Sequence, residues 1–154
     1  MTDEILKNKL NNFISRFEKE NENVKKLIHY NSVKNITNQI LILKNKKNTQ
    51  KYKESIQSYL DEIELMSSPI DKLISKFLYH EYIFESGRFL MYKGNFKTNG
   101  NLFFVLFLGI IIDSIIYFLG FRFYFPIFTL IFFIYGLTIR KKAINENRYF
   151  IRNW

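Results

Sequence analysis

From Leu102 to Leu119 the chain reads LFFVLFLGIIIDSIIYFL, and after Gly120-Phe121-Arg122 it turns apolar again as FYFPIFTLIFFIYGLTI before stopping at Arg140-Lys141-Lys142. A helix that is apolar around its whole circumference has no hydrophilic face to give to water. A chain of 154 residues has too little remaining mass to enclose two of them. The two runs therefore predict a transmembrane helical hairpin. As helices, the first run of 18 residues is about 27 Å long, and the second, Phe123 to Ile139 with 17 residues, about 25 Å. Both fall short of a hydrocarbon core of about 30 Å, so a re-entrant loop stands beside a full crossing as an alternative.

Charge sets the expected orientation. Residues 1–92 carry 15 basic and 12 acidic side chains, whereas residues 93–154 carry 8 basic and 2 acidic ones. The excess collects beside the apolar runs, as Lys93 and Lys97 ahead of the first and Arg140, Lys141 and Lys142 after the second, with Arg122 alone in the turn. Positive residues favour the cytoplasmic side, so both termini are predicted to be cytoplasmic and the membrane to be an inner or plasma membrane. A basic face for nucleic acid is not expected, because the cations are not gathered on one polar surface. The N-terminus, MTDEILKNKL, has no apolar core or cleavage site of a signal peptide.

Asp113 lies in the middle of the first apolar run. An ionised carboxylate at that depth needs a partner or a proton. Helical spacing places Gly109, Asp113, Tyr117 and Gly120 along one face, where glycines admit a second helix closely. Folding the chain about residue 121 sets Asp113 level with Thr129, Gly109 with Phe133, and Leu106 with Gly136; Ser114 and Thr138 offer further hydroxyls. Three roles follow for Asp113: an adhesive between helices, a partner for a basic residue of a different membrane subunit, or a member of an ion path. The packing or ion-path set is thus Gly109, Asp113, Ser114, Tyr117, Thr129 and Gly136.

Residues 1–92 read as helical. Leu6, Leu10, Phe13, Phe17, Val24 and Leu27 alternate in steps of four and three with Glu20 in the gap, which predicts a coiled-coil-like seam available for interaction, bent or ended near Glu20. Further amphipathic segments are expected near Val33–Lys44 and Lys51–Met66, with a polar linker from Lys44 to Gln50. Ser68, Pro69 and Asp71 suit the N-cap, first and third positions of a fourth helix. The organisation predicted is an all-α integral membrane protein. It comprises a cytoplasmic helical bundle or coiled-coil-like domain over 1–92, a linker over 93–101, a transmembrane hairpin over 102–142 and a basic cytoplasmic tail over 143–154.

Catalytic chemistry is sparse. There is no cysteine and there are two histidines, His29 and His80, far apart in sequence, so neither a metal site nor a cofactor is expected. Phosphate-binding glycine loops and nucleophile elbows are absent from the sequence. The function expected is a non-enzymatic, membrane-anchored accessory or scaffold subunit. Its partners would be membrane lipid and either copies of itself or another membrane protein. A small oligomeric cation channel or transporter subunit, with Asp113 in the path, is the alternative.

Overall fold

Helices account for nearly all of the regular structure. The computed structural model describes residues 3–43, 46–66, 69–93, 96–120 and 125–150, with the side chains of 46–48 excepted. In chain order the helices are α1 (Asp3–Phe17), α2 (Glu22–Leu27), α3 (Tyr30–Ile42), α4 (Lys46–Leu65), α5 (Lys72–Leu78), α6 (Phe84–Lys93), α7 (Asn99–Phe118) and α8 (Ile127–Asn145). One π-helical turn, Tyr79–Ile83, joins α5 to α6 without a break. Among the described residues the β-structure is a single isolated bridge between Lys97 and Tyr149. The chain divides into an N-terminal unit, Met1–Phe96, and a C-terminal unit, Lys97–Trp154.

The N-terminal unit is a bundle whose helices each turn one apolar stripe inward. Leu6, Leu10, Phe13 and Phe17 from α1 are buried, as are Val33, Ile36 and Ile40 from α3, Ile56, Tyr59, Leu60 and Ile63 from α4, and Leu78, Tyr79, Ile83 and Leu90 further on. Phe13 packs on Phe17 and stacks on Tyr30, with centroids 5.2 and 5.6 Å apart. The spacing that suggests an open seam in α1 is therefore the core face of a bundle. The seam does not continue: α1 ends at Phe17, and Val24 and Leu27 sit half-buried on the separate short α2.

Polar groups close the helix ends. Asn21 accepts from the Val24 N–H at 2.9 Å to start α2. Asp71, rather than a residue further upstream, caps α5, accepting from the N–H groups of Leu73 and Ile74 at 2.8 and 2.9 Å; Ser68 lies outside the described residues. Arg16 donates to the carbonyls of Glu64 and Met66 at 2.5 and 3.0 Å, satisfying the end of α4. The stretch read as a polar linker from Lys44 is helical from Lys46 onward. Lys53, 2 % exposed, pairs with Asp3 at 2.5 Å.

His29 makes the corner between α2 and α3. Its φ of 50° is left-handed, a region that His enters more readily than most residues. The ring is buried and stacks on Tyr79 at 3.8 Å. Desolvation lowers the imidazole from 6.5 to about 4. The unfolded chain therefore binds the proton first as pH falls. The stability carried by neutral His29 is complete above about 6.5, falls progressively as pH drops below that value and is gone below about 4. Acidifying from neutrality to that point is expected to remove about 2–3 kcal/mol through this residue. His29→Asn, which tolerates the same backbone and does not titrate, should flatten that part of the pH dependence of denaturant unfolding. An unchanged slope would remove His29 as its source.

The C-terminal unit corrects the sequence reading. Only α7, among the described residues, is long and apolar enough to cross a membrane. Pro126 sits at the N-cap of α8, so the helix starts at Ile127, and Arg140, Lys141 and Lys142 lie inside its last turns. Its uncharged helical stretch, Ile127–Ile139, spans about 20 Å, well under the roughly 30 Å of a hydrocarbon core. The two-helix transmembrane hairpin is thus not supported. The placing of both termini in the cytoplasm falls with it, because that placing needs two crossings. Arg122, the proposed outer residue, lies outside the described residues. What stands is an all-α helical fold.

Candidate functional site

The chemistry of the C-terminal unit is concentrated where α7 and α8 lie antiparallel. Their shared face is narrow: Gly109 and Asp113 are the buried residues of α7, Gly136 and Ala143 those of α8. A Cβ added to Gly109 would lie 2.7 Å from Thr129 Cα and 3.0 Å from the Phe128 carbonyl oxygen, so the two backbones meet there. One added to Gly136 would lie 2.6 Å from Leu102 Cδ1. Gly109 thus opposes Thr129 rather than Phe133, and Gly136 opposes Leu102 rather than Leu106. The register is displaced by one helical turn from a fold about residue 121.

That displacement gives Asp113 its role. One turn beyond Gly109, it stands one turn ahead of Thr129, at the start of α8. Its Oδ1 accepts from the Phe128 N–H at 3.1 Å and its Oδ2 from the Thr129 N–H at 2.7 Å. These are the second and third N–H groups of α8, which have no partner within the helix. Pro126 at the N-cap supplies no side-chain hydrogen bond. Asp113 therefore caps a helix to which it does not belong, with its negative charge at the positive end of that helix. Charge-assisted bonds of this kind are roughly twice as strong as neutral ones.

The remaining residues of the predicted set do not join it equally. Thr129 is half-buried beside Asp113, to which its side chain also hydrogen-bonds. Ser114 donates back to the Ile110 carbonyl at 2.7 Å, and Thr138 to that of Ile134 at 2.9 Å, so both hydroxyls are satisfied within their own helices. Tyr117 is 56 % exposed, edge-on to Phe118. Ion transport has no support: both Asp113 oxygens are engaged with the α8 backbone, and the described residues form no pore. Nor do three His, Cys, Asp or Glu side chains group as metal ligands among the described residues.

At the opposite end of the pair, Thr98 opens α7 with a capping box: its Oγ1 accepts from Gly100 N–H at 3.1 Å, and Asn101 Oδ1 accepts from Thr98 N–H at 2.8 Å. The chain after α8 returns to this point. Lys97 N–H donates to the Arg148 carbonyl at 2.9 Å, and Phe150 N–H to that of Lys97 at 3.2 Å. The Tyr149 hydroxyl bonds Asn99 Oδ1, and the Arg140 guanidinium lies 5.7 Å from the Tyr149 ring centroid. Lys93 ends α6, exposed, and Lys141 and Lys142 are exposed on α8. Thr98 is a readable N-cap ahead of an apolar run, whereas Asn101 stands where the capping-box signature has Glu or Gln; the pairing with Tyr149 carries no local signal. No known protein family, curated protein or solved structure matches the chain.

Proposed function

We propose that the chain is a non-catalytic helical accessory or scaffold protein, held against lipid by α7, that assembles with copies of itself or with another membrane protein. One observation carries the reading: within the most apolar 18 residues of α7, only 11 % are buried. Phe103, Phe104, Phe107, Ile110, Ile115 and Phe118 all project outward. Each large apolar side chain left in water forfeits roughly 1.5–3 kcal/mol that burial would return. A monomer in water rarely shows an apolar patch beyond a few hundred Å². Lipid supplies the missing cover, and exposed Leu130, Ile131 and Ile134 of α8 extend the same demand.

Assembly is assigned to a different surface from the one that the α1 spacing suggests, since that face is filled by the bundle. On α5, Leu73, Ile74 and Phe77 share one side and are 76, 51 and 63 % exposed.

Flotation tests the lipid reading. The purified chain should rise with phosphatidylcholine vesicles and stay with them through a high-salt wash, while a Phe103→Ser, Phe107→Ser, Ile110→Ser variant should stay largely in the aqueous fraction. A wild-type chain that is monodisperse in detergent-free buffer and ignores vesicles would sink the proposal. In native membranes, Phe77→Cys should cross-link to a second copy or to another protein; monomer alone would remove the assembly surface.

A further inference from the structure

We infer that the C-terminal unit holds one anionic glycerophospholipid between the start of α7 and the last turns of α8, its phosphate on Arg140 and Lys97 and its acyl chain against Leu102 and Val105. The inference rests on the lipid reading above and names the lipid. A cavity of about 110 Å³ opens there, lined by Lys97, Leu102, Val105, Gly136, Ile139 and Arg140 among others. A single water needs far less room. Its lining mixes the cations Lys97 and Arg140 and the polar Thr98 and Asn101 with apolar side chains such as Val105 and Ile139, and Leu102 packs against Gly136.

The cationic part of the lining is built rather than incidental. Arg140 Nε is buried without a hydrogen-bond partner among the described residues. A buried guanidinium N–H calls for an acceptor. The guanidinium is held over Tyr149, which is itself fixed through Asn99 and the bridge to Lys97. The unit's own acids are engaged elsewhere: Asp113 caps α8, and Glu146 pairs with Arg148. The start of α7 is closed by its capping box, so recognition falls to the two cationic side chains. A phosphate matches Arg by bidentate bonding and Lys by charge. Free phosphate would leave Leu102, Val105 and Ile139 facing water. A phospholipid covers them with its first methylenes, and its remaining chain follows the exposed apolar side of α7. Basic pockets at the polar end of apolar helices suit anionic headgroups for this reason.

The test uses the full chain in nonionic detergent, titrated calorimetrically with dihexanoylphosphatidylglycerol, dihexanoylphosphatidylcholine and inorganic phosphate. Phosphatidylglycerol should bind saturably and more tightly than phosphatidylcholine, whose headgroup carries its own cation, while phosphate alone should bind weakly. Arg140→Gln should weaken phosphatidylglycerol by about tenfold or more, and Lys97→Gln less. Val105→Phe, which fills the cavity from an apolar position, should weaken both lipids. Thermal melts by circular dichroism identify any variant that is misfolded, and Arg140→Gln and Val105→Phe report independently. Wild-type affinity in both, or phosphate binding as tightly as phosphatidylglycerol, overturns the inference. Short-chain lipid in detergent does not require membrane attachment. Flotation without an Arg140 effect therefore refutes the specific site and spares the lipid reading, and the converse result refutes attachment alone.

Discussion

Asp113→Leu is expected to destabilise the α7–α8 pair, because it leaves the start of α8 without the carboxylate that caps it. Two N–H groups, those of Phe128 and Thr129, lose their acceptor together. Pro126 cannot replace it, having no side chain able to accept. Asp113→Asn separates charge from shape. The amide keeps one acceptor oxygen, so one of the two bonds survives and the loss is smaller. Amide hydrogen exchange on the chain in detergent reads the effect at the site. Protection at Phe128 and Thr129 should fall by about two to three orders of magnitude in the leucine variant, and by about tenfold in the asparagine variant. Wild-type protection in both would show that α8 holds its first turn without Asp113.

The helical character of the chain was legible because apolar residues recur at helical spacing along nearly every segment. What that spacing cannot report is what covers the face it defines. Leu6, Leu10, Phe13 and Phe17 have the same pattern whether they meet a second chain or the bundle's own α3 and α4. Three further amphipathic segments in the same unit were the clue that an internal partner existed. At α8 the structure differs from the sequence pattern for another reason. The apolar run begins at Phe123, and Pro126 marks a helix start inside it; the proline sits at the N-cap rather than in the first turn, so the helix begins at Ile127. The apolar helix became too short to qualify as a crossing. Asp113 is recognisable as a residue in need of a partner, and Thr129, level with it in the sequence reading, does hydrogen-bond it through its side chain. The backbone N–H groups of Phe128 and Thr129, which no residue letter announces, are the partners that the spacing does not show. The Lys97–Tyr149 bridge joins positions far apart in sequence and leaves no periodic trace.

The two glycines of the α7–α8 face should respond unequally to the same added methyl group. At Gly109 a Cβ would meet Thr129 Cα at 2.7 Å and Thr129 N at 3.1 Å, both main-chain atoms of a helix that cannot yield locally. Relief requires α8 to move away, and movement there also stretches the bonds from Asp113 to Phe128 and Thr129. Gly109→Ala should therefore lose about 1–3 kcal/mol through overpacking. It should also lower exchange protection at the two capped amides, and Gly109→Val should do so more severely. At Gly136 the nearest atom is Leu102 Cδ1 at 2.6 Å, the end of a flexible side chain. A rotamer change can absorb that clash, so Gly136→Ala should lose less than about 1 kcal/mol and leave the capped amides protected. A double variant, Gly109→Ala with Asp113→Asn, should fall short of the sum of its parts, since the first substitution already weakens what the second removes. Strict additivity, or equal penalties at the two glycines, would mean that the close approach at Gly109 does not hold the cap in place.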